Sequence, residues 1–477
     1  MNRQPAARAG RLGKAEPPVI KDSGNQVPLM PVREELAVAE LGPAKIHSPL
    51  LGYSGAGPVE SFSWDSFTDD NCRVMVNIGP QAWQDIREGR TPDSFEEAGA
   101  RRKIYFDPSK VRAAILTAGG LCPGLNDVIR SLVMSLHYRY GVINILGVKY
   151  GYQGLNPDFG HELVPLNAKS VSNIHEFGGT ILGASRGGQS PEEMVDSLER
   201  LNINILFCIG GDGTLRGAHS IALEIKARGL KIGVVGVPKT IDNDISLVAR
   251  SFGFETAVAM ASDVIRSAHT EAIGAPHGVG LVKLMGRDSG FIAATSALAQ
   301  SEANYVLIPE LDFDLEGPGG LLNHLEKRLT SRGHAVIVVA EGAGQKFFRN
   351  ADENHDASGN VIHKDIGAFL AEAIKAWFKS RKLELNLKYI DPSYIIRSAP
   401  ANASDRVYCS YLGQKAVHAA MAGKTDLLIG LWNDHFVHVP IALATEKRKK
   451  VDPDGVLWNS VLETTGQPSL LNNSRIV

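Results

Sequence analysis

The chain has 477 residues, 44% hydrophobic and 21% charged, with a formal net charge of −2 at pH 7. These values suit a soluble globular enzyme with length for two to four domains. They exclude a global basic field that gathers nucleic acid, and no stretch of about 18 apolar residues offers a membrane span. Cys72, Cys122, Cys208 and Cys409 stand too far apart to indicate a zinc site or a disulfide framework.

Residues 1 to about 30 are rich in Pro, Gly, Ala and charge, which predicts disorder. Residues 31–105 read as short strands with turns at Gly52-Tyr53-Ser54-Gly55 and Pro92-Asp93, a small extension packed on the main body. From 106 onward, apolar β-rich runs alternate with helical patterns. The run 113–116 leads into Thr117-Ala118-Gly119-Gly120-Leu121-Cys122-Pro123-Gly124-Leu125-Asn126, and a helical pattern follows over 127–136. Another helix is predicted at 191–201. The run 203–209 then breaks into Gly210-Gly211-Asp212-Gly213-Thr214. The run 232–237 enters Pro238-Lys239-Thr240-Ile241-Asp242-Asn243-Asp244, ahead of a helical pattern at 255–268. The run 279–284 enters Met285-Gly286-Arg287-Asp288-Ser289-Gly290. Beyond it lie an apolar strand at 335–340, a polar surface loop at 344–359, a helix at 366–379 and a strand at 426–431. Near-continuous apolar strands of this kind form parallel sheets covered on both faces. Each motif occurs once, which argues against a fused double-length arrangement.

Four strand ends therefore carry glycine, carboxylate or arginine, and ligands of open α/β sheets bind outside the carboxyl ends of the strands. Glycines expose backbone N–H groups to a phosphate, and a following helix N-terminus favours an anion. Asp212 adds a carboxylate for the magnesium of a nucleotide; its plainer role is to cap the helix after the turn. Asp242 and Asp244, two apart, point the same way if the backbone is extended and can then share one ligand. An Asx-turn with two capping side chains is the alternative. Cys122 lies in the first glycine loop, where a small residue in a crowded turn is the simpler reading.

Together these segments resemble the 6-phosphofructokinases over residues 105–445. Gly-Gly-Asp-Gly-Thr alone also occurs in NAD kinases and diacylglycerol kinases. The combination with Pro-Lys-Thr-Ile-Asp-Asn-Asp and Met-Gly-Arg is specific. The segments Thr180-Ile181-Leu182-Gly183-Ala184-Ser185-Arg186-Gly187 and Tyr389-Ile390-Asp391-Pro392-Ser393-Tyr394 resemble the long ATP-dependent enzymes of plants, trypanosomatids and some bacteria. The resemblance implies an α/β fold: two doubly wound parallel-sheet, Rossmann-like domains with an N-terminal extension. Residues 1–105 would be the extension. Residues 106–245 with part of the C-terminal region would bind nucleotide, 246–445 mainly fructose 6-phosphate, and 446–477 would be a tail.

The resemblance also implies roles. Gly120, Gly211, Gly213 and Thr214 form the ATP cradle, with Arg186 and Gly187 at the nucleotide phosphates. Asp212 holds Mg2+, with Asp244 as a second metal residue or a support of its loop. Asp242 is the general base on the sugar's 1-hydroxyl, and Thr240 and Ile241 beside it also bind the substrate. Met285, Gly286 and Arg287 bind fructose 6-phosphate, and Arg287 stabilises the transferring phosphoryl group. Glu341 bonds sugar hydroxyls, and Tyr394 and Arg397 hold the 6-phosphate, where an arginine fork suits a phosphate. Short bacterial enzymes have His in place of Tyr394 and take further phosphate ligands from a neighbouring subunit. Gly278 cannot supply one of these; Lys388 can supply another.

Donor choice rests on Gly213 and Lys239. Pyrophosphate-using relatives usually replace the former with Asp and carry Lys at the latter. Gly213 leaves room for an α-phosphate and adds no negative charge, so ATP is expected, with pyrophosphate as the alternative. A kinase of another class leaves three motifs unexplained. A non-catalytic regulatory subunit would be expected to have lost Asp212, Asp242 or Arg287. The expectation is a cytoplasmic, allosteric, Mg2+-dependent homo-oligomer, tetramer or dimer, acting on fructose 6-phosphate and ATP, without nucleic-acid or membrane partners.

Overall fold

The computed structural model describes residues 34–53, 67–348 and 363–475. The disorder expected for residues 1 to about 30, and most of the loop expected at 344–359, fall outside the described residues.

The apolar runs become strands, and the mixed stretches between them supply shorter ones. In chain order these are β1 (Arg73–Met75), β2 (Ser94–Glu97), β3 (Arg112–Thr117), β4 (Asn144–Val148), β5 (Val164–Leu166), β6 (Ile205–Gly210) and β7 (Gly233–Pro238). They continue with β8 (Gly278–Leu284), β9 (Tyr305–Leu307), β10 (His334–Ala340), β11 (Asn386–Ile390), β12 (Leu427–Trp432) and β13 (His435–Pro440). A nine-stranded sheet runs β1-β2-β13-β12-β7-β6-β3-β4-β5. Its centre, from β12 to β4, is parallel, and its edges are antiparallel. A four-stranded sheet, β9-β10-β8-β11, is parallel throughout.

The main helices are α1 (Leu125–Tyr140), α2 (Pro191–Arg200), α3 (Asp212–Ala227), α4 (Phe254–Ile273), α5 (Ile366–Ser380), α6 (Ala403–Met421) and α7 (Val456–Thr465). One face of the large sheet packs on α1 and α6, the other on α2 and α3. The small sheet is covered by α4 and α7 on one face and α5 on the other. Covering on both faces explains why β6, β7 and nearly all of β8 and β10 are buried along their length. Helix α1 ends as its pattern dictates: Gly141, at φ 72°, turns its N–H back onto the carbonyls of Leu136 and His137.

Some segments do more than their sequence suggested. Within residues 31–105, β1 and β2 extend the large sheet past β13. They are tied there by a buried ionic cluster: Glu96 accepts from Arg101 Nη2 at 2.7 Å, Lys424 Nζ at 3.1 Å and His438 Nδ1 at 3.1 Å. Within residues 446–477, α7 buries Trp458 and Val461 in the core of the smaller lobe.

The large sheet reverses its winding between β3 and β6, the place where such sheets open a crevice. The chain also passes between the lobes along 239–253, 391–402 and 445–455. The expected site residues gather around these passages and that crevice.

Candidate active site

At the carboxyl end of β3, the first glycine loop is covered by residues 180–187. Thr117 Oγ1 donates to the Gly183 carbonyl at 2.8 Å, and Gly119 N–H donates to the Ser185 carbonyl at 3.1 Å. The absence of a side chain at Gly120 matters. A Cβ there would lie 2.4 Å from Arg397 Nη2 and 3.7 Å from Arg186 Nη2. The backbone therefore admits two guanidinium groups, one from each proposed phosphate subsite. Gly187 adopts φ 104°, a left-handed conformation that suits glycine.

The second glycine turn opens α3 directly. Gly211 is its N-cap, Asp212 its first residue, and a Cβ at Gly213 would meet nothing within 4 Å. Thr214 is buried, and its carbonyl accepts from Tyr152 Oη at 2.5 Å. Lys239 crosses between the two turns. Only 6% exposed, it donates from Nζ to the Gly120 carbonyl at 2.8 Å, and burial lowers its pKa.

The loop after β7 is not extended. Thr240 Oγ1 accepts from Asp242 N–H at 3.2 Å and donates to Asp244 Oδ1 at 2.7 Å. Asn243 turns to φ 55°, and its Oδ1 accepts from Ser251 N–H at 3.0 Å. The expectation that alternating geometry aligns Asp242 with Asp244 is thus corrected. A turn headed by the Thr240 hydroxyl brings the carboxylates near each other, and their mutual repulsion survives. Burial, then Asp244 and Glu341, push the Asp242 carboxyl up to about 7. Asp242 Oδ1 is buried and has no hydrogen-bond partner.

The smaller lobe brings its own loop to the same point. Ser289 Oγ donates to the Asp242 carbonyl at 3.1 Å. Met285-Gly286-Arg287 is fixed against the end of β10: Glu341 N–H donates to the Leu284 carbonyl at 2.9 Å and Gly342 N–H to that of Gly286 at 3.0 Å. Gly286 sits at φ 131°, where a Cβ would come within 2.4 Å of the Ser289 carbonyl oxygen. Burial raises the Glu341 pKa against the pull of Lys283, Arg287 and Arg397.

Not every expected residue converges. Tyr394 is 82% exposed, although Arg397 on the same short helix reaches Gly120. Gly278 is buried at the start of β8, far along the strand from Met285, and Lys388 is exposed on β11. Cys122 is fully buried, and burial raises its thiol well above the ordinary range, so it is packing rather than a nucleophile.

Two residues escaped the sequence reading. Lys283 Nζ lies 2.8 Å from Asp391 and 3.3 Å from Asp365, beneath the Glu341 loop. Its signal was a lone cation in an apolar strand. Arg448 lies 3.5 Å from Asp212 Oδ2 and 3.9 Å from Asp244 Oδ2. It hid in the basic run Lys447-Arg448-Lys449-Lys450, which reads as a solvated surface. Two carboxylates from separate loops thus face a single cation, a donor set that also fits Mg2+. Among the described residues no cluster of three or more His, Cys, Asp or Glu could hold a metal. A magnesium ion here would complete its shell with phosphate and water oxygens.

Comparison with known proteins places this geometry. The family model "Phosphofructokinase" matches residues 112–420. The ATP-dependent 6-phosphofructokinase of Borreliella burgdorferi is 57% identical over 446 residues, covering 92% of this chain and 98% of that protein. The ATP-dependent 6-phosphofructokinase of Trypanosoma brucei brucei is 45% identical over 441 residues, covering 91% of this chain and 88% of its own. Among solved structures, the pyrophosphate-dependent phosphofructokinase of Marinobacter aquaeolei superposes with a TM-score of 0.62 at 20% identity, covering 75% of this chain and 91% of that one. At that identity the likeness speaks for the fold alone.

Proposed function

The chain belongs to the phosphofructokinase family, and from that premise we propose that it transfers the γ-phosphoryl group of ATP to the 1-hydroxyl of fructose 6-phosphate. The products are fructose 1,6-bisphosphate and ADP, the committed step of glycolysis. One observation carries this reading: the unpartnered, buried Asp242 oxygen stands where the nucleotide turns meet the Met285–Arg287 loop.

Asp242 takes the proton from the sugar's 1-hydroxyl as that oxygen bonds to the γ-phosphorus and the bond to ADP breaks. A carboxylate raised to about 7 is a better base than an ordinary one. Lys239, Arg287 and Arg186 neutralise charge on the phosphates. Glu341 and Met285–Arg287 orient the sugar, and Arg397 faces its 6-phosphate. Asp212, with Asp244 near, would hold Mg2+, which would supply charge neutralisation on the donor phosphates.

ATP is favoured over pyrophosphate by the open space at Gly213 and by the names of the similar proteins. We further propose a cytoplasmic homo-oligomer, a tetramer, in which exposed Lys388 reaches a neighbouring site; among the described residues no helix is long and apolar enough to cross a membrane. For allosteric control we propose a separate cavity of about 590 Å³ between α1 and α6, where Arg130, Arg139 and Arg406 outnumber Asp127 and favour an anionic effector. The deciding assay is fructose 1,6-bisphosphate formation with ATP and pyrophosphate side by side. ATP-supported turnover is expected, and turnover with pyrophosphate alone would overturn the donor assignment.

A further inference from the structure

Residues 445–455 carry the chain from the large lobe to the small one, and the first part of this passage runs along the catalytic loop. Arg448 and Ile245 form an antiparallel bridge. Lys449 N–H donates to the Asp244 carbonyl at 2.8 Å, and Lys449 Nζ to the carbonyls of Val248 at 2.8 Å and Ala249 at 3.1 Å. The backbone is therefore pinned at Arg448 and at the residue after it.

The Arg448 guanidinium meets three carboxylates from three motifs. Nη1 is in close contact with Asp288 of the Met285–Gly290 loop. Nη2 stands 3.5 Å from Asp212 Oδ2, and Nη1 stands 3.9 Å from Asp244 Oδ2. Asp212 also contacts Arg216, one turn further along α3. The guanidinium is thus anchored on the sugar-side loop and lies near the other two carboxylates at charge–charge range, too loosely to saturate them. An exposed pair of this kind would be worth little. Here the side chains of Asp212 and Asp244 are only 14% and 10% exposed, which reduces screening by solvent.

We propose that Arg448 is a positioning residue: an internal counter-ion that, beside Arg216, offsets the charge of Asp212 and Asp244 in the metal-free enzyme and competes with the divalent cation for them. This inference rests on the assignment of Asp212 as a metal residue. When the cation arrives, Asp212 and Asp244 turn to it while Arg448 stays on Asp288. Metal affinity is thereby linked to the sugar-side loop, because the hold of Asp288 sets how far the guanidinium leans toward Asp212.

The test is Mn2+ binding to the full chain without nucleotide, followed by electron paramagnetic resonance of free Mn2+. Arg448→Gln should tighten Mn2+ about tenfold, the order expected from removing one positive charge a few ångströms away in a partly screened site. Arg448→Lys should stay near wild type. Asp288→Asn frees the guanidinium toward Asp212 and should weaken Mn2+ several-fold, the opposite direction. A purely structural role would lower thermal stability without moving Mn2+ affinity. Equal or weaker Mn2+ binding in a folded Arg448→Gln protein would overturn the proposal. So would unchanged or tighter binding in Asp288→Asn, which keeps the question answerable if the first variant does not fold. Asp212→Asn is the control. Mn2+ binding that survives it overturns the metal assignment and this inference with it, whereas the bisphosphate assay on wild type judges the proposed reaction separately.

Discussion

Lys239 Nζ donates to the Gly120 carbonyl at 2.8 Å, joining the end of β7 to the first glycine loop. The bond aims a buried cation across the mouth of the phosphate crevice. Lys239→Met removes that charge and leaves a carbonyl without its donor. Turnover with ATP should fall about 10²- to 10³-fold, the usual effect of losing one preorganised donor to a developing charge. Steady-state kinetics check this, and a turnover within twofold of wild type would exclude a role in transfer.

Asp242 joins function and stability with opposite signs. Its folded-state pKa, about 7, lies well above the ordinary aspartate value. Between those values the folded protein binds more protons than the unfolded one, so this group makes stability fall as pH rises through that window. Asp242→Asn should therefore raise the melting temperature at pH 8 relative to wild type and lower turnover by about 10²- to 10⁴-fold. Asp244→Asn removes one of the charges that raise Asp242 and should move the acid limb of the kcat/KM profile to lower pH. An acid limb that stays in place would mean another group controls it.

Gly213 lies on the first turn of α3 with open space before it. Gly213→Asp has room to fold, and a carboxylate near a helix N-terminus is tolerated. The melting temperature should hold, while kcat/KM for ATP drops at least tenfold. An unchanged Michaelis constant for ATP would count against Gly213 as the donor-selecting position.

Glu96 binds the edge strands to the body. Burial alone would raise its carboxyl, but the His438 hydrogen bond and the charges of Lys424 and Arg101 outweigh this and hold it far below the ordinary range. His438 is itself pushed down by burial, so a neutral imidazole donating from Nδ1 suits the bond. Glu96→Gln leaves buried cations without their counter-charge and should cost about 3–5 kcal/mol in denaturant unfolding. The wild-type contribution is present above the unfolded carboxyl's value and fades as pH falls below it. The variant should lose that acid dependence.

The sequence disclosed what strong patterns encode. The unbroken apolar runs at 205–209 and 335–340 leave little choice but buried parallel strands, and both occur within β6 and β10. The glycine and carboxylate turns after β3, β6, β7 and β8 were legible because their chemistry differs sharply from what precedes them. What stayed hidden depends on partners distant in the chain. β1 and β2 are short and mixed in polarity, and only the pairing of β2 with β13, and of β1 with β2, makes them strands. Alternation could not anticipate the left-handed Asn243, since its conformation is locked by a bond from Ser251. Arg448 reads as one charge among four until the Asp244 carbonyl fixes the backbone beside it.

Ile396 is buried in the core of the smaller lobe, while Arg397, the next residue, extends to the Gly120 loop of the larger one. One arginine therefore belongs mechanically to one lobe and electrostatically to the other. Any rotation between the lobes moves this guanidinium relative to the Gly120 loop. Under the proposed assignment, a ligand that fixes Arg397 from either side would alter the affinity of the opposite side by the same factor. The two substrates would then be thermodynamic effectors of each other, through a single side chain.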